Sequence, residues 1–486
     1  MDNILLLTDS YKVTHWRQYP PGTEKVYSYF ESRGGKYPEV LFFGLQYMLK
    51  KHLEGVVVTQ ETIDTAEMIV EKHLGNKSLF NREGWEYILR EHGGRLPISI
   101  KAVPEGSVVP THNVLMTIEN TDPKCFWLTN YLETLLVQVW YPTTVATLSM
   151  NMKRQIMDYL DRTGDPGLVD FKLHDFGFRG VSSVESAAIG GAAHLVSFMG
   201  TDTIVGLLLL RQYYGADMAG FSIPAAEHST ITSWGRQGEA LAMENMLKQF
   251  PKGAVAVVSD SYDIFKACGE IWGDKLKEKV AGRDGTVVVR PDSGNPEKVV
   301  VEVLNILGAK FGTSRNDKGY LVLPSQIRVI QGDGVDYESA ERVMSALEAA
   351  GWSADNVAFG MGGALLQKLH RDTQKFAFKC SSVTVDGQER DVFKQPVTDP
   401  GKNSKAGRLK LVLRTDGSFE TVSMSHDGAD QLVEVFRYGK ILQEYSLDEI
   451  RSRANGFLSE RRKAEALLRS RQAPPERVLS RQTEHA

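Results

Sequence analysis

Cysteine is scarce in this chain. Its 486 residues include three, Cys125, Cys268 and Cys380. No two of them share a CxxC spacing, so neither a disulfide framework nor a zinc knuckle is expected. Long apolar runs are also missing. No stretch reaches the roughly 18 residues a helix needs to cross a bilayer. Nor is there a surplus of positive charge: 57 Lys and Arg stand against 61 Asp and Glu, a net charge of −4. That balance argues against a nucleic-acid binder, which carries a basic footprint. The opening segment MDNILLLTDSYK has no basic lead-in and no small-residue cleavage site. It is read as a strand or turn rather than a signal peptide, and the cytoplasm is the expected location. No GxxxxGK[ST] loop occurs, which speaks against a Walker-type nucleotide site.

What is present suits a globular protein: 42% of the residues are hydrophobic and 24% charged. The length predicts two or three domains, or a β/α barrel of about 250 residues with additions. Within residues 61–74, Ile63, Ala66, Val70 and Leu74 recur at helical spacing. From Pro97 to Glu119, short β-prone runs alternate with Pro and Gly, as in antiparallel strands. Between about 170 and 380 the pattern changes. AVAVVSDS (254–261), TVVVRPDSG (286–294), IRVIQGDG (327–334) and NVAFGMGG (356–363) are unalternated apolar runs, each followed by a polar or glycine turn. Such runs suit strands buried on both faces, in βα units of a parallel sheet or barrel. Residues 381–455 return to a β-rich pattern, with a hairpin predicted at Asp416-Gly417. From about 459 a short helix and a frayed end are expected.

Ligands of parallel α/β folds bind at the carboxyl ends of the strands. The residues there are His174 to Gly180, Gly200-Thr201-Asp202, Glu227-His228-Ser229 and Ser259-Asp260-Ser261. Further along come Arg290 to Gly294, Gly332-Asp333-Gly334 and Gly360 to Gly363. Singly, each has an ordinary structural reading. Ser259, Asp260 and Ser261 read as helix caps, Ser182 with Glu185 as a capping box, and His194 as a core residue. Together they say more. Capping accounts for Asp and Gly, but not for two arginines and a histidine on the same edge. Arginine forks suit phosphate oxygens, glycines admit phosphates to backbone N–H groups, and aspartates suit ribose hydroxyls or Mg²⁺. The set describes a sugar carrying more than one phosphate, with a metal ion.

The runs TDSYKVTHWRQYPPGTEKVYSYFESRG, KAVPEG, ENTDP, KLHDFGFRGVSS, GTDT, PAAEHSTIT, VVSDSYDI, RPDSGNP, VIQGDGVD, LLQKLHRD and FKCSSV appear in that order almost end to end. On them the chain resembles the nicotinamide phosphoribosyltransferases, a family of type II phosphoribosyltransferases. The resemblance implies an α/β fold: an irregular β/α barrel-like domain beside a β-rich domain built from both chain ends. The expected limits are 1–150 and 381–486 for the β-rich part, with a helical, partly mobile tail, and 151–380 for the barrel. It also implies a homodimer with shared active sites, Mg²⁺, and ATP as a stimulating co-substrate, with neither nucleic acid nor membrane as partner.

Residue roles follow from the same resemblance. Phe176 would stack on one face of nicotinamide, and Tyr11 of a second subunit on the other. Asp202 would accept a hydrogen bond from the carboxamide, which disfavours the ionised nicotinate. Arg290 would lie beside the base and, with Arg179 and His228, hold the diphosphate. Asp292, Gly332 and Asp333 would hold the ribose, directly or through Mg²⁺. Gly362 and Gly363 would cradle the 5′-phosphate. Arg33, Arg371 and Lys379 would approach that phosphate, and Lys394 and Lys402 the diphosphate, from the partner chain. His228, Asp292 and Asp333 form the expected catalytic set, with His228 phosphorylated by ATP.

The sequence departs from the family pattern in places. SRGGKYPEVLF is short where animal members carry a longer charged loop. Ala377 replaces an expected serine, and Met361 and Ala364 flank the glycine pair where smaller residues are usual. The implied reaction joins nicotinamide to phosphoribosyl pyrophosphate. Its ring nitrogen has no proton to lose, so positioning and charge stabilisation should carry catalysis without a general base. Three other readings stand beside this one. They are a nicotinate-specific relative, an unrelated barrel lyase or hydrolase, and a non-catalytic nucleotide-sensing homologue.

Overall fold

The computed structural model describes residues 3–472. The expected frayed end beyond 472 and the first two residues of the opening segment lie outside the described residues. Of the two readings of that segment, strand or turn, the turn is the one found: the chain forms two 3₁₀ helices, Ile4–Leu6 and Ser10–Arg17. The Asn3 side chain accepts from Leu5 N at 3.1 Å, and this cap lets a single turn bury Ile4 and Leu5.

Two sheets organise the molecule. One has seven strands drawn from both chain ends, in the spatial order 388–391, 376–385, 23–32, 114–120, 98–102, 433–437 and 440–441. Its central pairing is antiparallel, Thr23–Ser32 against Phe376–Val385, with Phe30 opposite Phe378 and Tyr29 opposite Lys379. The expected strands around Pro97–Glu119 are here, Ile98–Ala102 pairing with Val114–Asn120. The hairpin at Asp416-Gly417 also forms, joining Leu409–Leu413 to Phe419–Ser423, with Gly417 at φ +81°. A type of turn that needs positive φ explains the glycine there. The terminal helix is longer than expected and begins earlier, at Leu447–Gln472.

The second sheet has six strands in the order 200–201, 173–175, 357–361, 327–331, 287–290 and 255–258. All five pairings are parallel. The four apolar runs singled out in the sequence supply four of these strands. Single parallel bridges, Gly200 to Phe221 and Ala225 to Ala256, join the two edges of the sheet. The segment 221–225 thus acts as a seventh stave without a regular ladder, which is why the barrel is irregular.

The helix Trp140–Thr163 is mostly buried, between the short strand Glu39–Leu41 and the helix Val184–His194. On one side Thr147 Oγ1 accepts from Leu41 N at 2.9 Å. On the other, Ser149 Oγ meets His194 Nδ1 at 2.9 Å. His194 is fully buried, as its apolar setting predicts, and its Nε2 lies 3.3 Å from Leu173 O. Burial holds its pKa down, to about 3, so the folded protein keeps this ring neutral.

This gives a stability prediction. The unfolded chain binds a proton at His194 below about pH 6.5, while the folded chain does not. The stabilisation from the neutral ring is therefore full above that pH and is lost as pH falls toward 3. Denaturant unfolding of wild type and His194→Gln should show the wild-type advantage shrinking by about 1.4 kcal/mol between pH 7.5 and 5.5. A gap that stays constant over that range would contradict the buried neutral histidine.

Candidate active site

The expected barrel residues converge at the carboxyl edge of the parallel strands. Phe176 follows the strand Leu173–Asp175, and its N–H bonds Met361 O at 3.0 Å. The ring then lies against Gly360, where an added Cβ would sit 1.9 Å from Phe176 Cε2. An added Cβ on Gly332 would meet Asp292 Oδ1 at 3.4 Å, Phe176 Cε2 at 3.5 Å and Arg290 Cδ at 3.7 Å. Gly332 is thus the point where Phe176, Arg290 and Asp292 come together. An added Cβ on Gly180 would sit 3.2 Å from Gly363 Cα, so the turn carrying the exposed Arg179 rests on the Gly362-Gly363 loop.

Asp202 ends the next strand. Its N–H bonds Asp175 O at 3.0 Å, and its Oδ1 accepts the Ser222 hydroxyl at 2.5 Å. One carboxylate oxygen is held while the other stays available at the rim.

Asp260 is the hub that sequence reading missed. Its Oδ1 lies 3.0 Å from His228 Nε2. Its Oδ2 accepts from Asp292 N at 3.1 Å and from Ser293 Oγ at 2.6 Å. The cap reading of this turn is corrected: Asp263 caps the following helix, accepting from Phe265 N and Lys266 N. Ser259 instead bonds Val257 O and receives Trp272 Nε1 at 3.0 Å. The Ser182–Glu185 capping box is corrected too. Ser183 caps that helix by accepting from Ser186 N, and Glu185 bonds Tyr47 and Lys51.

The acidic groups act on one another. Burial pushes the Asp292 carboxyl up, Asp260 and Asp333 push it further, and Arg290 and His228 work against them. Asp292 Oδ2 stands 3.8 Å from Arg290 Nη2 and 3.9 Å from His228 Nδ1. Arg290 Nε is buried without a hydrogen-bond partner.

The remaining expected residues form a second cluster beside the antiparallel sheet. Burial holds the Lys379 ammonium below its usual range, and Lys394, Arg33 and Arg371 depress it further, against Glu133. Arg33 Nε and Nη1 are buried without partners. Tyr11 stands 60% exposed on the helix Ser10–Arg17, next to Lys12, which pairs with the same Glu133 at 2.7 Å. Lys402 pairs with Asp399 at 3.2 Å in an exposed loop. Arg33, Arg371, Lys379 and Lys394 thus form one basic cluster, and His228, Asp260, Arg290 and Asp292 another group at the barrel edge.

A cavity of about 410 Å³ runs through the barrel. Phe176, Asp202 and Arg290 line one end, and Lys172, Arg328 and Asp355 the other. Barrel interiors are normally filled by side chains. Here Ala225, Ala256 and Ala358 line the wall and leave it open, a signal that was readable in the strand runs. Lys172 Nζ donates to the carbonyls of Ala354, Asp355 and Val357 at 2.9–3.0 Å. Burial lowers its pKa to about 7.

Comparisons with known proteins agree with this architecture. In fold, the chain is similar to a nicotinate-nucleotide pyrophosphorylase from Pyrococcus furiosus, with a TM-score of 0.60, 16% identity, and 95% of this chain and 96% of that one covered. It is also similar to human nicotinic acid phosphoribosyltransferase, with a TM-score of 0.56, 17% identity, and 93% and 94% covered. Strand-end loops on this barrel, carrying Arg179 and Arg290 beside an acidic cluster, are those of a phosphoribosyl-transferring enzyme, the class to which the matching relatives belong. More particularly, the chain belongs to the nicotinate phosphoribosyltransferase (NAPRTase) family, whose model matches residues 171–440. Residues 3–100 match the N-terminal domain described for nicotinamide phosphoribosyltransferase. A nicotinamide phosphoribosyltransferase of Xanthomonas campestris pv. campestris (strain 8004) is 54% identical over 466 residues, 94% of this chain and 98% of the relative. One from Acinetobacter baylyi is 34% identical over 493 residues, covering 93% and 97%.

Gly360→Ala tests the placement of Phe176. The added methyl must displace the ring, and a shift of about 1 Å at a reacting site lowers kcat/KM on the order of a hundredfold. Circular dichroism should remain unchanged while steady-state kinetics register the loss. Full activity in this variant would show that the ring is not part of the site.

Proposed function

We propose that the enzyme makes nicotinamide mononucleotide and diphosphate from nicotinamide and phosphoribosyl pyrophosphate, in the salvage of NAD. The observation that carries the choice of base is Asp202. Its carboxylate stands at the cavity rim with Phe176, one oxygen held by Ser222 and the other open to an amide N–H₂. An ionised nicotinate would meet like charge there. The names of the two bacterial relatives support the same base.

The pyridine nitrogen attacks the anomeric carbon with its lone pair, the bond to diphosphate breaks, and the ring becomes a pyridinium. Arg179 and Arg290 stabilise the leaving charge, and Asp292, Gly332 and Asp333 hold the ribose. Mutual repulsion among Asp260, Asp292 and Asp333 suits a hard divalent cation that brings phosphate and water ligands of its own, as Mg²⁺ does. Asp292 and Asp333 would hold it.

ATP enters through His228. The Asp260 carboxylate accepts a hydrogen bond from Nε2–H, which holds the tautomer whose Nδ1 lone pair attacks the γ-phosphorus as ADP departs. Two identical chains would share the site. Tyr11, Arg33, Arg371, Lys379, Lys394 and Lys402 of one would close the barrel edge of the other, with Gly362 and Gly363 cradling the 5′-phosphate. The exposure of Tyr11 and the partnerless guanidinium nitrogens of Arg33 support that arrangement. We assign residues 1–150 and 381–486 to the β-rich part and 151–380 to the barrel. The helix Trp140–Thr163 and the strand Phe376–Val385 span the two limits. Among the described residues no helix is long and apolar enough to cross a membrane, and a cytoplasmic enzyme is proposed.

The decisive assay supplies purified enzyme with Mg²⁺, phosphoribosyl pyrophosphate and either nicotinamide or nicotinate, with and without ATP. Nicotinamide mononucleotide should form and ATP should raise its rate. Product from nicotinate alone would assign the other base, and product from neither base would leave a nucleotide-sensing role. His228→Ala should keep a slow ATP-independent transfer and lose all stimulation by ATP; retained stimulation would rule out the phosphohistidine. Asp202→Ala should lower the preference for nicotinamide over nicotinate, measured as the ratio of kcat/KM values.

A further inference from the structure

Asp175 lies behind the base site and has no role in the mechanism above. It is wholly buried at the end of the strand Leu173–Asp175. Two of its oxygens tie to residues at the rim. Oδ1 accepts from Gly177 N at 2.7 Å, which fixes the turn that carries Phe176. The backbone oxygen accepts from Asp202 N at 3.0 Å, which fixes the proposed amide acceptor. Oδ2 is buried beside the Thr203 hydroxyl, near enough to feel it but without a well-formed hydrogen bond. An added Cβ on Gly191 would sit 3.3 Å from Asp175 Oδ2 and 2.9 Å from Thr203 Cγ2, so glycine leaves the two groups room to face each other.

We propose that Asp175 is a positioning residue for the base: its backbone carbonyl holds Asp202, its ionised carboxylate braces the turn that carries Phe176, and protonation of that carboxyl slackens the brace on Phe176. The inference rests on the nicotinamide reading above. A carboxylate that accepts a backbone N–H holds it more strongly than a neutral acid or amide does. Gaining a proton therefore weakens the Gly177 tether, and the freed O–H turns toward Thr203.

The titration falls in an accessible range. Burial pushes the Asp175 carboxyl up to about 6, and the charge of Asp202 adds to this, while the Gly177 N–H and Thr203 oppose it. The titratable groups facing it are Asp202 and, from the helix Trp140–Thr163, Tyr141. The Tyr141 hydroxyl is raised by burial and by Asp175, and it bonds the carbonyls of Ser186 and Leu366. Neither donates a proton to Asp175.

The experiment measures KM for nicotinamide and for phosphoribosyl pyrophosphate from pH 5 to 8 in wild type, Asp175→Asn and Asp175→Ala. In wild type, KM for nicotinamide should rise as pH falls through about 6, by about fivefold. Asp175→Asn should show that raised KM at every pH, with the inflection gone and KM for phosphoribosyl pyrophosphate unchanged. Asp175→Ala, which loses the tether outright, should raise the nicotinamide KM further; if it does not fold, Asp175→Asn decides alone. A wild-type inflection that survives in Asp175→Asn overturns the proposal, and so does an equal rise in both KM values. Wild-type enzyme that makes no mononucleotide would instead overturn the underlying reading of function.

Discussion

The antiparallel ladder between Thr23–Ser32 and Phe376–Val385 joins two segments about 350 residues apart, and the basic half of the site is built on it. Its inner face is aromatic: Phe30 stacks on Phe376 with centroids 5.2 Å apart and planes 8° from parallel. Both rings are buried, and so are Tyr29 and Glu31 on the opposite face, so packing on both faces fixes the register, since a one-residue slip would exchange the two sets of side chains. Fixing the register places Lys379 opposite Tyr29 and brings Arg33 N to Lys375 O at 3.2 Å. The Tyr29 hydroxyl accepts from Lys405 N at 2.9 Å, which anchors the loop that follows Lys394. The cations therefore gather because the core beneath them permits one register.

Gathering them has an electrostatic consequence. Burial depresses the Lys379 ammonium, and Lys394, Arg33 and Arg371 are close enough to depress it further. The carboxylates at the barrel edge are close enough to raise Asp292. Each cluster is a strained assembly of like charge, and each contains an arginine with a buried N–H and no acceptor. Unmade charged hydrogen bonds are expensive, and in the proposed reaction a ligand with several phosphates would relieve both clusters. The acidic cluster would take a cation along with that ligand; the basic one would not.

Much of the barrel was legible in the sequence. Strands buried on both faces read as unbroken apolar runs, and the groups just beyond them had to face the strand-end rim. What escaped was whatever depends on a distant partner. Asp260 looks like a cap because aspartate after a strand often is one. Its true partners, His228 and Asp292, each lie 32 residues away along the chain. The stave 221–225 escaped because Pro224 and single bridges leave no strand pattern. The opening segment stayed open between strand and turn because its four-residue apolar run, Ile4 to Leu7, fits a capped turn as well as a strand. Gly360 and Gly200 were visible only as turn residues. The structure shows each as a space kept for a ring, Phe176 in one case and His174 in the other, where an added Cβ would lie 2.5 Å from His174 Nδ1.

The cavity through the barrel shows where selectivity must reside. Several polar groups line it, but most have their hydrogen bonds committed. Lys172 gives its ammonium to three carbonyls. Arg328 Nη1 reaches the carbonyls of Leu323, Pro324 and Ile327, and His174 Nε2 meets Phe171 O at 3.0 Å. Asn356 is used by Leu321, Leu323 and Ser353. These bonds hold the floor rigid and leave a wall that is largely alanine and valine, which any flat ring of suitable size satisfies. The uncommitted groups are at the rim, in the free oxygen of Asp202 and the partnerless Nε of Arg290. Apolar walls discriminate weakly between isosteres, whereas a fixed polar partner rejects the wrong one strongly. The barrel interior can therefore admit a ring, but only the rim can tell one ring substituent from another.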